Sequence, residues 1–256
     1  MTRRMVGPTL ARGSARLVLP LVCLALPLSA QSSGAGRGFL FGAPVGSVTI
    51  RGGYALANAG SDFFDFTTNE LTLDRRDFSS PSLDLEVGAR FLPRTDFVIW
   101  LSYSGMQKRS EYRDFIDNND LPIEQRTQFR RVPFTVGVRQ YLSAPGQSVG
   151  TLAWIPARAA PYVSVGGGTI WYRFKQDGDF IDAPSMNVFT STYETNSWSW
   201  AAHGAFGLDF SLGPRFALNA ETRYLLSRGS LSGDFSGWDP LDLSGLSTMV
   251  GLTVRF

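Results

Sequence analysis

The sequence is short of several things, and each shortage narrows the field. Its single cysteine, Cys23, lies in a leader-like segment, so the remaining chain can use neither disulfide nor thiol chemistry. His203 is its one histidine. After residue 30 there is no long apolar run and no sustained helical periodicity, which leaves no candidate for a membrane-spanning helix of about 20 residues. Charge of one sign is not in excess either. The first 30 residues carry four arginines and no acid. Removing these four from the 24 basic residues leaves 20 against 22 acidic ones. Nothing in that balance points to nucleic acid.

The first 30 residues have the layout of a secretory signal peptide. Arg3, Arg4, Arg12 and Arg16 precede the apolar LVLPLVCLALPL at 17–28, and Leu28-Ser29-Ala30 ends in a small residue before Gln31. The apolar run is too short to span a bilayer as a helix. Residues 31–44 read as a short leader, and 45–256 as one domain.

What the domain has in abundance is alternation. SLDLEVGARFL at 82–92 puts Leu83, Leu85, Val87, Ala89 and Phe91 on one face and Ser82, Asp84, Glu86, Gly88 and Arg90 on the other. The same period-2 pattern recurs at 47–56, 97–107, 129–142, 162–174, 197–211, 216–227 and 246–256, which predicts eight strands of about 10–13 regular residues, enough to cross a bilayer when tilted. Long polar connections are expected at 57–81, 108–128, 175–196 and 228–245. Tight turns are expected at 92–96 and 212–214. The connection at 143–161 is long and rich in proline and alanine.

The faces decide which side is inside. The polar faces mix charges with glycines, as a narrow interior requires. The opposite faces are nearly free of charge, as lipid requires, because one Arg or Lys at the midplane costs about 2–4 kcal/mol. Aromatics fall into two bands. Phe91, Phe97, Tyr162, Phe210, Phe216 and Phe256 lie near the short turns; Tyr54, Tyr103, Phe129, Trp171, Trp198, Trp200 and Tyr224 lie near the long loops. Two such bands are expected as the girdles of a transmembrane barrel. The fold class is therefore all-β: an eight-stranded antiparallel transmembrane β-barrel, an up-and-down meander. The terminal STMVGLTVRF reads as the strand that closes on the first, with Phe256 in the girdle.

With this architecture and the terminal TVRF, residues 45–256 resemble the small eight-stranded outer-membrane proteins, the OmpA-barrel, OmpX and OmpW group, and the broad outer membrane protein β-barrel domain family. The resemblance implies an integral protein of the outer membrane of a Gram-negative-type bacterium, with the long loops outside the cell and both termini in the periplasm. It implies outer-membrane lipid and lipopolysaccharide as surroundings. It also implies the barrel-assembly machinery as a partner in biogenesis, with Phe256 as the signal.

The polar faces supply an expected lumen ion-pair network: Arg51, Arg90, Arg131, Arg139, Arg223 and Arg255 against Asp84, Glu86, Asp209 and Glu221, with His203 among them. An eight-stranded interior is just wide enough for side chains to fill, so the leading expectation is a mostly plugged lumen and a non-enzymatic, structural and surface-interaction role through the four long loops. A narrow pore, with anion preference from the arginines, or an OmpW-like conduit for small or apolar molecules is the alternative. A third reading, a lipid-modifying enzyme, centres on His203. Barrels of that kind pair a lipid-facing His with a Ser two positions on, whereas residue 205 here is Ala and His203 faces inward. No nucleophile and orienting acid assemble around it. No catalytic residue, metal ligand or cofactor is therefore expected.

The acidic runs at 114–120 and 175–182 do not match a calcium-loop spacing and are expected to be solvated loops. Arg109 and Arg113 are candidate contacts for lipopolysaccharide phosphate. VGGGT at 165–169 lacks the Gly-Lys-Ser/Thr of a phosphate loop and is expected to make room for a bulky lumen neighbour. SDFFDF at 61–66 is expected to stack on its loop or on the outer leaflet, or to form a contact patch.

Overall fold

The computed structural model describes residues 40, 42–117, 120–150, 153–182, 187–235 and 237–256. The expected signal peptide at 1–30 and most of the 31–44 leader lie outside them. Eight strands form the barrel: β1 (Gly46–Ala57), β2 (Ser80–Leu92), β3 (Thr95–Ile116), β4 (Pro122–Tyr141), β5 (Ala159–Asp182), β6 (Asn187–Ser211), β7 (Phe216–Gly229) and β8 (Gly245–Arg255). Each pairs antiparallel with the next. β8 returns to β1 in a register running from Ser47 opposite Arg255 to Ala57 opposite Gly245. The Phe256 carbonyl accepts the amides of Val45 and Gly46 at 2.8 and 3.0 Å. The ring is closed, so within it the backbone has no free edge, as a lipid environment demands.

The period-2 pattern sorts the side chains. Along β7, buried and exposed residues alternate without a break from Phe216 to Gly229. The outward side chains are large and apolar all round the wall, including Ile50, Leu83, Leu101, Val136, Val165, Phe206, Leu218 and Val250. Among the described residues no helix is long and apolar enough to cross a membrane. The strands do so.

Four strands run well beyond the expected length. β3, β4, β5 and β6 have 22, 20, 24 and 25 residues, so most of 108–128 and 175–196 is strand rather than loop. One face of these stretches stays buried under the connections, but it mixes polar with apolar residues: Gln125, Thr127 and Gln176 beside Ile123 and Phe180. The apolar/polar alternation therefore fades from the sequence, and cross-strand pairs help to hold the stretches. Phe180 faces Phe189 across the ladder, and Thr190 donates to Asp179 at 2.6 Å. Arg173 pairs with Glu194 at 2.6 Å.

The β1–β2 connection is also structured. Helix α1 (Asp62–Glu70) starts at Ser61, with Asp62 and Asp65 in its first turn, where negative charge suits the helix dipole. A 3₁₀ turn follows at Arg75–Phe78. In the 143–161 connection, Gly146–Val149 and Ala153–Pro156 form a small hairpin.

Candidate functional site

The barrel interior is filled in three layers. In the middle one, Arg51, Arg139 and Arg223 meet Asp84, Glu86 and Glu221, and all six are buried. They converge because each is an inward residue of β1, β2, β4 or β7, and the register sets Arg51 directly opposite Asp84. Arg51 donates to Asp84 at 2.9 Å, to Glu86 at 3.0 Å and through Nε to Asn219 at 2.5 Å; Glu221 lies 3.3 Å away. Arg223 donates to Glu221 from Nε at 2.9 Å and from Nη2 at 2.5 Å, and its Nη2 reaches Glu86 at 3.4 Å. Arg139 donates to Glu86 and lies 3.6 Å from Glu221. Two guanidinium groups also stack on aromatic rings: Arg223 over Trp100 at 3.9 Å and Arg139 over Tyr162 at 4.0 Å. Trp100 Nε1 in turn donates to Asp84.

His203 sits at the edge of this cluster, with Nδ1 3.0 Å from the Thr135 hydroxyl and Nε2 3.4 Å from Arg223. A guanidinium can only donate, so Nε2 accepts and the ring proton sits on Nδ1. Among the described residues no carboxylate hydrogen-bonds to this imidazole. Directly opposite it in the ladder is Gly166, where a Cβ would lie 2.5 Å from the Val136 carbonyl oxygen and 2.7 Å from His203 Cε1. The glycine-rich stretch therefore makes room for the imidazole.

The outer layer is apolar. The helical spacing of Phe63, Phe64 and Thr67 turns one face of α1 down into the mouth. Phe64 packs at 4.6 Å from Phe78 and 5.7 Å from Phe129, and Phe63 at 4.9 Å from Phe174 and 5.1 Å from Phe235. SDFFDF is thus neither a surface patch nor a leaflet contact at these two rings; both are buried. The connection is clamped to β3. Lys108 pairs with Asp77 at 2.5 Å, and Thr72 donates to the Glu111 carbonyl at 2.8 Å. Arg113 donates to the Thr68 and Leu73 carbonyls, each at 3.2 Å. Burial pushes the Asp77 carboxyl up, but the hydrogen bond and charge of Lys108 and the Asp74 backbone outweigh it and hold it below its ordinary value. Arg113, expected to meet phosphate, is thus engaged within the protein, while Arg109 stays exposed.

The third layer lies at the short-turn end. Tyr141 donates to Asp209 at 2.9 Å and Tyr162 to Glu221 at 2.7 Å. Arg255 lies 3.5 Å from Asp209, and Arg90 pairs with Asp96. Trp154, from the small hairpin, is buried with the Arg255 guanidinium 5.8 Å over its ring.

Three expected assignments change. Arg131 stands apart from the ion pairs, because it lies nearer the loop end. There it donates to the Leu243 carbonyl at 3.1 Å and covers Phe129 at 5.3 Å. Phe129 and Tyr162 are buried interior residues, not girdle. Strand phase explains both: Phe129 is in step with Arg131, Thr135 and Arg139, and Tyr162 with Ser164 and Gly166. The other expected girdle aromatics lie on outward positions. Trp200 is 82% exposed and Phe91 73%, while Trp171 is partly covered.

The interior also holds residues not singled out from sequence: Trp100, Asn219, Asp96 and Tyr141. Phase could have found Trp100, which is in step with Asp96, Ser102 and Ser104. Of the acidic runs, Asp114 lies on β3, and Asp177, Asp179 and Asp182 lie on β5, where Lys175 pairs with Asp177 at 3.1 Å. Among the described residues no group of acidic, histidine or cysteine side chains has the arrangement of a metal site.

No protein-family model matches the chain, and no curated protein sequence does. Solved structures do. The outer membrane protein OprG of Pseudomonas aeruginosa is 17% identical, with a TM-score of 0.47 over 85% of this chain and 99% of that one. The attachment invasion locus protein Ail of Yersinia pestis is 17% identical, with a TM-score of 0.44 over 83% and 99%. Outer membrane protein W of E. coli is 12% identical, with a TM-score of 0.38 over 85% and 100%. The closed ring, its outward apolar belt and its filled interior make this chain an eight-stranded transmembrane β-barrel, and small outer-membrane barrels are the solved structures to which it is similar.

Proposed function

We propose that the protein is a non-enzymatic barrel of the bacterial outer membrane whose lumen is plugged and which works through the structured surface carried by its long connections. One observation carries this reading: α1 seats Phe63 and Phe64 in the mouth, on the loop side of a layer of buried, mutually paired charges. A solute would have to displace both layers. The outward belt supports placement in lipid, and the clamps between the β1–β2 connection and β3 support a fixed rather than a swinging plug. In this reading the outer surface meets lipopolysaccharide and an unidentified partner, and Phe256 is the residue the barrel-assembly machinery takes hold of.

Single-channel recording of the refolded protein in a planar bilayer tests it, with heat-modifiable gel mobility reporting the folded state. The expected result is a folded, silent barrel. Reproducible openings, altered by Arg139→Ala, would replace this reading with that of a narrow pore.

A further inference from the structure

At the outer end lies a cavity of about 230 Å³, bounded by α1, by Asp234, Phe235 and Trp238, and by the protruding parts of β3 to β6. Phe66, Phe180, Phe189, Tyr193, Phe235 and Trp238 are among the residues that line it. Phe180 meets Tyr193 at 4.6 Å and Phe66 meets Trp238 at 5.0 Å, and Phe63 joins the two groups, 5.1 Å from Phe235 and 5.6 Å from Trp238. Tyr193 meets Phe235 at 6.2 Å. Phe66 is 48% exposed and Phe189 39%. A concave, mostly apolar cavity with a few convergent polar groups is the usual form of a small-molecule site.

The polar part of the lining has one sign. Glu70 and Asp234 are its charged residues, and no lysine or arginine lines it. No described basic side chain forms an ion pair with either carboxylate, whereas the aspartates near α1 at 65, 74 and 77 each have an arginine or lysine partner. π faces attract a weakly hydrated cation, and two carboxylates without a basic partner add to the attraction.

We infer that this cavity binds a small organic cation carrying an apolar group, of the quaternary or aryl-ammonium class, taken from the aqueous side. The aqueous source follows from position. Tyr193 lies five residues beyond the outward Trp198 on β6, about 16 Å further along the strand at the usual rise, and so clear of the girdle. The inference rests on the outer end being the working surface, but not on the lumen being closed.

Isothermal titration of the refolded protein in an uncharged maltoside tests it. The probes are phenyltrimethylammonium, benzyl alcohol as an uncharged comparator and benzenesulfonate as an anionic one. The cation is expected to bind saturably, benzyl alcohol about tenfold more weakly, and the sulfonate not at all. Trp238→Ala should weaken cation binding about tenfold and Glu70→Gln about fivefold, with folded gel mobility kept. Equal affinity for the alcohol, binding of the sulfonate, variants that bind like the parent, or no saturable heat would each overturn the assignment. A barrel that conducts yet binds the cation would defeat the plugged-lumen reading alone; a silent barrel that does not bind it would defeat only this one.

Discussion

Glu221 accepts from Arg223 and Tyr162 and lies within ion-pair reach of Arg51 and Arg139, so it holds three buried guanidinium groups in balance. Removing one partner of such a set strands charge in a low-dielectric interior, which costs far more than the pair itself contributes. Glu221→Gln is therefore expected to lower unfolding stability by about 3–5 kcal/mol, read as a shifted urea midpoint of the barrel refolded in lipid vesicles. On the other face the rule reverses. Val250 is exposed at the middle of β8, and Val250→Arg should cost about 2–4 kcal/mol in a bilayer. Which residues face inward was legible from strand phase alone, and phase also identifies Phe129, Tyr162 and Trp100 as interior. Proximity to a strand end is the weaker guide, since an aromatic near an end can point either way. Which partners the inward charges choose was not legible, because that depends on stagger between strands distant in sequence.

Among the elements, helix α1 has the most separable role. Phe64→Ala removes a ring enclosed by Phe78, Phe129 and Phe174 and is expected to cost about 3–5 kcal/mol. Because the ring of strands does not depend on it, the loss should appear as protease cleavage within 57–79 while heat-modifiable mobility persists. Acid should act on the same element. The folded-state carboxyl of Asp77 is held below its ordinary value, so its contribution is present above that value and is lost as pH falls through the folded-state one. Limited proteolysis with an acid-active protease should therefore cut the connection faster below about pH 4, and Asp77→Asn should cut fast at neutral pH as well. The strands inside the belt were readable because lipid and lumen impose opposite demands on alternate residues. The upper halves of β3 to β6 were not, since their buried face mixes polar residues such as Gln125, Thr127 and Gln176 with apolar ones. SDFFDF, short and flanked by acids, carries too little helical period for α1 to be read from it.

The whole molecule is a ring whose closure leaves no edge in lipid, and whose contents are a paired ionic layer between an aromatic cap and a tyrosine-lined base. The middle layer sums three positive groups against three negative ones, each bound to neighbours of the opposite sign. A potential of 100 mV does about 2.3 kcal/mol of work on each elementary charge that crosses it. It does no net work on a set that sums to zero and shifts together. On the proposed plugged reading, this layer offers an applied voltage no net charge to pull, and a ramp that forces open a barrel gated by a single mobile charge is expected to leave this one closed, whichever its polarity.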